Sequence, residues 1–257
     1  MTCQTLLVSQ SGGLAVITLN RPEVMNALNA TLRAALRTAI RTAIGSARAL
    51  VLTGAGRAFC SGQDLSDSPV ADLDLEAILR DEYEPLLHLL RDCPIPTLAA
   101  VNGTAAGAGA NLALACDVVI AAESASFIQA FTRIGLIPDA GGTWTLPRQI
   151  GTARAMGAML FADRIGARQA ADWGMIYEAV PDAEFAAQWQ ARAMSLATGP
   201  TVAYAALKQA LRASPGNSFD AQLALEAQLQ GTCGRSQDFS EGVAAFLEKR
   251  PARFTGA

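Results

Sequence analysis

The chain has 257 residues, 51% hydrophobic and only 17% charged, with a formal net charge of −3 and a single His. That length suits one large domain or two small ones, and so apolar a chain must bury much surface, part of it in an expected subunit interface. The lack of a basic block argues against nucleic acid as a partner. The lack of any apolar run near ~20 residues argues against a membrane span, and one His with no Cys pair at ligand spacing argues against a bound metal.

Met1 to Gln10 has neither the basic start nor the apolar core of a secretion signal, so a cytoplasmic chain is expected. Thr5–Ser9 and Leu14–Leu19 read as two strands joined by the turn residues Ser11-Gly12-Gly13. Asn29 is placed to cap a helix running to about Ile44, with Leu32, Leu36, Ala39 and Ile40 on one face. Ala49–Thr53 reads as a buried strand, followed by a glycine-rich loop from Gly54 to Asp67. Leu75 to Arg91 has helical spacing and ends at Pro94 and Pro96. Thr97–Val101 is a strand, Gly107–Cys116 a helix and Val118–Ala121 another strand, so the first half reads as α/β.

The second half is mostly helical, with helices expected near 141–149, 153–161, 167–173, 182–197, 202–213, 219–229 and 238–249. Short strand-like pieces at Ser126–Gln129 and Tyr177–Val180 interrupt it, and Asn217-Ser218 and Ser236 are candidate helix starts. No repeat or long linker divides the chain. Residues 1–195 are expected to form a core and 196–257 a helical C-terminal region, within one structural unit. Cys3, Cys60, Cys93, Cys116 and Cys233 are odd in number and fit no disulfide or metal framework, which suits a reducing compartment.

Three glycine-rich turns are candidates for chemistry. Gly54 to Leu65 follows a strand and presents backbone N–H groups without side chains in the way, or is an ordinary surface loop. No Gly-Lys-Ser/Thr follows, so it is not a phosphate loop of the Walker kind. Val101 to Ala110 links a strand to a helix, where free N–H groups and the positive dipole end can hold an anion or a developing oxyanion. Close helix–strand packing is the other reading, and the dinucleotide fingerprint is incomplete because Gly107-Ala-Gly109 lacks its third glycine. In Leu136 to Thr143, Asp139 is the only acid between Glu123 and Asp163 and stands among apolar residues. If buried, its pKa should rise toward that of a general base; the plain alternative is an N-cap. His88, mid-helix among leucines, disfavours a Ser-His-Asp hydrolase, and Cys60 lacks an evident activating partner.

Taken in order, three segments resemble the crotonase (enoyl-CoA hydratase/isomerase) superfamily: Arg57-Ala-Phe-Cys-Ser-Gly-Gln-Asp-Leu65, Ala100 to Gly109, and Gly135-Leu-Ile-Pro-Asp-Ala-Gly-Gly-Thr143. Asn20-Arg-Pro, Asn26-Ala-Leu28 and Glu241 to Arg250 extend the resemblance over nearly the whole chain. Each motif alone is weak; their order makes them specific.

The resemblance implies an α/β spiral of ββα units with a helical C-terminal trimerisation region, assembled as a homotrimer or hexamer. It implies an acyl-CoA thioester substrate, with coenzyme A as part of the substrate and no separate cofactor. Carried over residue by residue, Gln63 and Ala108 would donate their N–H groups to an oxyanion hole, with alanine standing where the family often has glycine. Ala27, Ser61, Asp64 and Leu65 would line the ligand channel, and Phe246 and Lys249 could reach the nucleotide end, sometimes on a neighbouring subunit.

The two glutamates by which hydratases of the superfamily activate water are replaced by Asn111 and Phe131, and Phe131 should make that corner of the pocket apolar. Asp139 remains, where isomerases keep a carboxylate. The resemblance therefore implies an isomerase with Asp139 as general acid/base. Through Thr104-Ala-Ala-Gly-Ala-Gly-Ala110, Gly141-Gly-Thr-Trp144, Arg154-Ala-Met-Gly157, Trp173-Gly-Met-Ile176 and the ending Phe254-Thr-Gly256, the chain resembles most the branch that converts ring-epoxidised phenylacetyl-CoA to an oxepin and shifts enoyl-CoA double bonds. An enoyl-CoA hydratase and an inactive CoA-binding protein are the alternatives.

Overall fold

The computed structural model describes residues 4–66 and 73–257. Asp67, the end of the expected glycine-rich loop, and Cys3 lie outside the described residues.

Two strands, β1 (Leu6–Ser11) and β2 (Leu14–Leu19), form the expected antiparallel hairpin. Asn29 caps α1 (Ala30–Ser46) as its side chain accepts from Leu32 N at 2.9 Å. The apolar stripe of α1, Leu32, Leu36 and Ile40, is fully buried, which anchors the helix by removing apolar area from water.

The chain then alternates between two sheets. β3 (Ala49–Gly54), β5 (Thr97–Val101), β7 (Val118–Ala122) and β10 (Glu178–Val180) join the hairpin in a six-stranded sheet of order β1-β2-β3-β5-β7-β10. Apart from the β1–β2 pair, its pairings are parallel. β4 (Ala58–Cys60), β6 (Thr104–Ala106), β8 (Ser126–Ile128) and β9 (Ile165–Gly166) form a smaller sheet of order β4-β6-β8-β9. Successive strand pairs β3/β4, β5/β6 and β7/β8 each put one strand in each sheet, so the chain winds as a spiral. The central strands of the large sheet read as continuous buried runs, as parallel strands covered on both faces should.

The expected helix over 75–91 is divided. α2 (Leu75–Ile78) passes through a π-helical turn, Leu79–Tyr83, into α3 (Glu84–Arg91). Pro85 has no N–H for the helical ladder, and the wider turn absorbs that loss. The turn leaves Tyr83 buried.

Beyond α4 (Ala108–Leu114), helices dominate: α5 (Gly142–Ile150), α6 (Thr152–Phe161), α7 (Ala167–Asp172), α8 (Asp182–Ala197), α9 (Thr201–Ala213), α10 (Phe219–Cys233) and α11 (Gln237–Glu248). Ser218 and Ser236 cap α10 and α11 as expected. Lys208 fastens α9 to the spiral: its ammonium donates to Ile95 O at 2.7 Å and pairs with Asp117. No helix among the described residues is long and apolar enough to cross a membrane.

Candidate active site

A cavity of about 600 Å³ opens between the β4–α2 segment, the start of α4 and the turn before α5. Its walls are mostly apolar, with Leu75, Ile78, Leu79, Leu87, Phe131 and Pro138 among them. Gln63, Ala108 and Asp139 all line it, so the three glycine-rich turns meet in one place.

Each turn brings its group there for a local reason. Leu28 N donates to Gly62 O at 2.7 Å, and Asp64 N donates to Leu28 O at 3.2 Å. This parallel bridge uses the groups on either side of Gln63 and turns the Gln63 N–H away from Leu28. Ala108 is the first residue of α4, so its N–H has no intrahelical acceptor. Neither N–H has a hydrogen-bond partner among the described residues. The two loops touch at Gly62, where φ is +95°; a Cβ there would lie 2.8 Å from Ala106 O and 3.3 Å from Ala108 N. Two unpaired N–H donors, one at a helix start, suit a developing negative oxygen.

Asp139 does not cap a helix. Gly141 holds the N-cap position of α5 without a side-chain bond, and the Asp139 carbonyl, not its carboxylate, accepts from Gly142 N at 2.9 Å. The carboxylate oxygen Oδ1 is buried with no hydrogen-bond partner among the described residues. Burial raises the Asp139 pKa from 3.8 to about 6, partly opposed by its own main-chain N–H. A carboxyl poised there can take and return a proton near neutrality.

Phe131 lines the cavity and is buried, as expected of an apolar corner. Asn111 is also buried, but its side chain is not free for chemistry: Nδ2 donates to Asp139 O at 2.8 Å, and Oδ1 accepts from Gln129 Nε2 at 2.8 Å.

The other expected contacts divide. Ser61 and Leu65 line the cavity. Ala27 and Asp64 do not: Asp64 is buried in an ion pair with Arg21 Nη1 at 2.7 Å, and the same Nη1 donates to Ala27 O at 2.7 Å. That ion pair and the bonds from Ser66 lower the Asp64 pKa against the effect of burial. Phe246 and Lys249 lie at the end of α11, away from this cavity, with Phe246 lining a groove between α9, α10 and α11.

Several further residues at the site lie outside the three glycine-rich motifs. The buried Arg33 donates from Nη1 to Gln63 Oε1 and Leu28 O, and its Nε pairs with Glu82 at 2.8 Å. Tyr83 lines the cavity and donates to Gln63 Oε1 at 2.7 Å. Burial pushes its phenol pKa up; the Arg33 cation opposes this and the Asp139 carboxylate adds to it. Glu84 is an exposed acid on the cavity wall. Arg33 was discernible: it falls three residues before Leu36 and seven before Ile40, on the buried stripe of α1.

The rival nucleophiles are placed elsewhere. Cys60 is buried, its thiol pKa pushed up to about 12 by desolvation. His88 is an exposed partner of Asp92. No group of three or more His, Cys, Asp or Glu among the described residues is arranged to hold a metal.

The family model for enoyl-CoA hydratase/isomerase matches residues 9–257. The chain belongs to the enoyl-CoA hydratase/isomerase family. A Rhodobacter capsulatus protein named "Probable enoyl-CoA hydratase" is 65% identical over the full length of both chains. The 1,2-epoxyphenylacetyl-CoA isomerase of Escherichia coli K12 is 47% identical over 95% of each chain. The enoyl-CoA hydratase structure from Bacillus anthracis superposes with a TM-score of 0.91 at 32% identity, covering 99% of this chain and 100% of that one. The two-sheet spiral is thus the crotonase fold, and the chain is an enzyme of a family that acts on acyl-CoA thioesters.

Proposed function

We propose that the chain is an acyl-CoA isomerase in which Asp139 is the single general acid/base. The observation that carries the reading is the Asp139 carboxyl itself: on the wall of an apolar cavity, without a side-chain partner at Oδ1, and raised to about 6. The thioester carbonyl is held by Gln63 N–H and Ala108 N–H. Removal of a proton beside that carbonyl then generates an enolate whose oxygen both donors stabilise, a contribution of about 3–4 kcal/mol per donor. Asp139, now protonated, returns the proton to another carbon. The double bond moves, and no atom is gained or lost.

The residues at 111 and 131 support isomerisation over hydration. Addition of water in this family needs two carboxylates, and Asn111 and Phe131 supply neither. An apolar cavity also keeps water from competing for the enolate. The 47% identity to the 1,2-epoxyphenylacetyl-CoA isomerase supports a ring-epoxidised phenylacetyl-CoA as one substrate, opened to its oxepin, with an enoyl-CoA double-bond shift as another. Coenzyme A enters as part of the substrate and no further cofactor is required. A cytoplasmic enzyme is the corresponding setting.

A hydratase is the second reading, favoured by the printed name of the Rhodobacter capsulatus relative and by Glu84, a second carboxylate on the cavity wall. Incubation with a 3-enoyl-CoA and separately with a 2-enoyl-CoA, read by mass and chromatography, separates the two. A positional isomer of unchanged mass, lost in Asp139→Asn, is the expected result. A product heavier by one water, or turnover indifferent to Asp139→Asn, would return the hydratase to the front.

The apolar groove between α9, α10 and α11 supports assembly as a homotrimer or hexamer. In such an assembly Phe246 and Lys249 meet the nucleotide end of CoA bound to a neighbouring copy.

A further inference from the structure

Asp139 has no side-chain bond to hold its carboxyl at Oδ1, so the direction of the carboxyl is set by its backbone. That backbone is strained: Ala140 at φ +48° and Gly141 at φ +78° are consecutive left-handed residues, a conformation that costs a non-glycine residue ~1–2 kcal/mol. Something must hold it. The Asp139 carbonyl accepts two hydrogen bonds, from Gly142 N at 2.9 Å and from Asn111 Nδ2 at 2.8 Å.

Asn111 is built in for this contact. It is 2% exposed and sits on α4, three residues after Ala108. Its Oδ1 accepts from Gln129 Nε2 at 2.8 Å, and Gln129 is fully buried. The Asp139 carbonyl, an acceptor only, sets the Asn111 amide with its nitrogen toward Asp139, and Gln129 Nε2 then holds Oδ1 from the other side; the reversed Asn111 amide would set two carbonyl oxygens against each other. Room for the amide comes from Gly142, where a Cβ would lie 2.3 Å from Asn111 Nδ2. A carboxylate at 111 has no donor and would repel the same carbonyl.

We infer that Asn111, locked by Gln129, is a positioning residue that fixes the proton-transferring carboxyl of Asp139 relative to the N–H of Ala108. The position that in related hydratases carries a water-activating glutamate here carries a neutral hook. It joins the base-bearing turn to the helix that presents the oxyanion donor. Both reacting groups then move as one body, and a loss of registration of about 1 Å between them is worth up to ~100-fold in rate. The inference rests on the reading of Asp139 as the base.

The test is steady-state isomerisation of a 3-enoyl-CoA by wild type, Asn111→Ala, Gln129→Met, Asp139→Asn and the double variant Asn111→Ala/Asp139→Asn. The expected result is a kcat lowered ~10–100-fold in Asn111→Ala and less in Gln129→Met, with KM within about 3-fold. In the Asp139→Asn background, where only the slow residual turnover supported by the oxyanion donors is left to measure, Asn111→Ala should add almost nothing, because the hook then has no base to aim. A purely structural role would instead lower the melting temperature and multiply in full with Asp139→Asn. Should Asn111→Ala fail to fold, the milder Gln129→Met carries the same decision. A kcat per folded site within 2-fold of wild type in these variants, with Asp139→Asn inactive, overturns the inference and leaves the base assignment standing. Wild-type turnover in Asp139→Asn overturns the base assignment itself, and the inference with it.

Discussion

The buried guanidinium of Arg33 donates to the side-chain oxygen of Gln63 at 2.8 Å. Tyr83 donates to the same oxygen, so the Gln63 side chain is pinned from two sides while the Leu28 bridge pins its backbone. Arg33 is itself anchored by Glu82 and by Leu28 O. Tyr83→Phe removes one neutral bond and should lower kcat/KM by less than ~10-fold, in line with about 1 kcal/mol for such a bond. Arg33→Met strips Gln63 and Leu28 O of a donor, and it should cost at least ~10-fold in kcat/KM together with a lower melting temperature. Steady-state kinetics and thermal melts on both variants check this. A Tyr83→Phe loss above ~100-fold would instead place the phenol against the reacting acyl group.

Asp139 must be deprotonated to accept a proton, and its pKa is raised by burial to about 6. The kcat/KM of isomerisation should therefore fall as pH drops through about 6 and level off above it. A pH–rate profile with its acid limb near 4 would mean that the carboxyl buried at Asp139 is not the base.

The same displacement bears on stability. The folded-state pKa of Asp139 lies above its ordinary value of 3.8, so between about pH 4 and 6 the folded state binds more protons than the unfolded state. Stability from this group is fully present below pH 4 and is lost as pH rises through about 6. Asp139→Asn cannot ionise, so it should be more stable than wild type at pH 7, by at most about 3 kcal/mol, and the gain should vanish near pH 4. Chemical denaturation of both proteins at the two pH values measures it. Equal stability at pH 7 would mean that the carboxylate is well solvated in the folded enzyme.

The long elements could be read from the sequence because their burial leaves a period: the α1 stripe, the apolar runs of β3 and β5, and the serine caps of α10 and α11. In the smaller sheet only β8 could be read, as the strand-like piece at Ser126–Gln129. β4 and β6 have three residues each, too few for an alternation, and they run through glycine-rich stretches that look like loops. The π turn at Leu79–Tyr83 was hidden because apolar spacing continues through it, although Pro85 was in plain view. The motifs that bring Gln63, Ala108 and Asp139 to one cavity were visible. The supporting bonds were not: Arg33 could be placed on the buried stripe of α1 and Asn111 in a motif, but their pairings with Gln63, Gln129 and Asp139 are long-range and no local pattern encodes them. Asp64 and Ala27 show the converse. Lying in a motif, they were expected at the channel, but Arg21, 43 residues from Asp64 in sequence, draws both into a buried clasp.

Phe246 and Lys249 are the last test of the proposed assembly. Phe246 is 81% exposed and Leu211 65% exposed, and both line the groove between α9, α10 and α11. Contiguous apolar exposure on this scale marks a contact surface. Leu211→Glu places a charge in it and should convert a trimer or hexamer into monomers, read by sedimentation. If Lys249 of one copy meets the CoA phosphates of another, Lys249→Ala should raise KM for the acyl-CoA several-fold and leave kcat nearly unchanged, since that contact is the same in ground and transition states. The monomeric Leu211→Glu should show the same rise in KM, and adding Lys249→Ala to it should change nothing further. A wild-type monomer, or a Lys249→Ala effect that persists in full in the monomeric variant, would place Lys249 outside the neighbour's site.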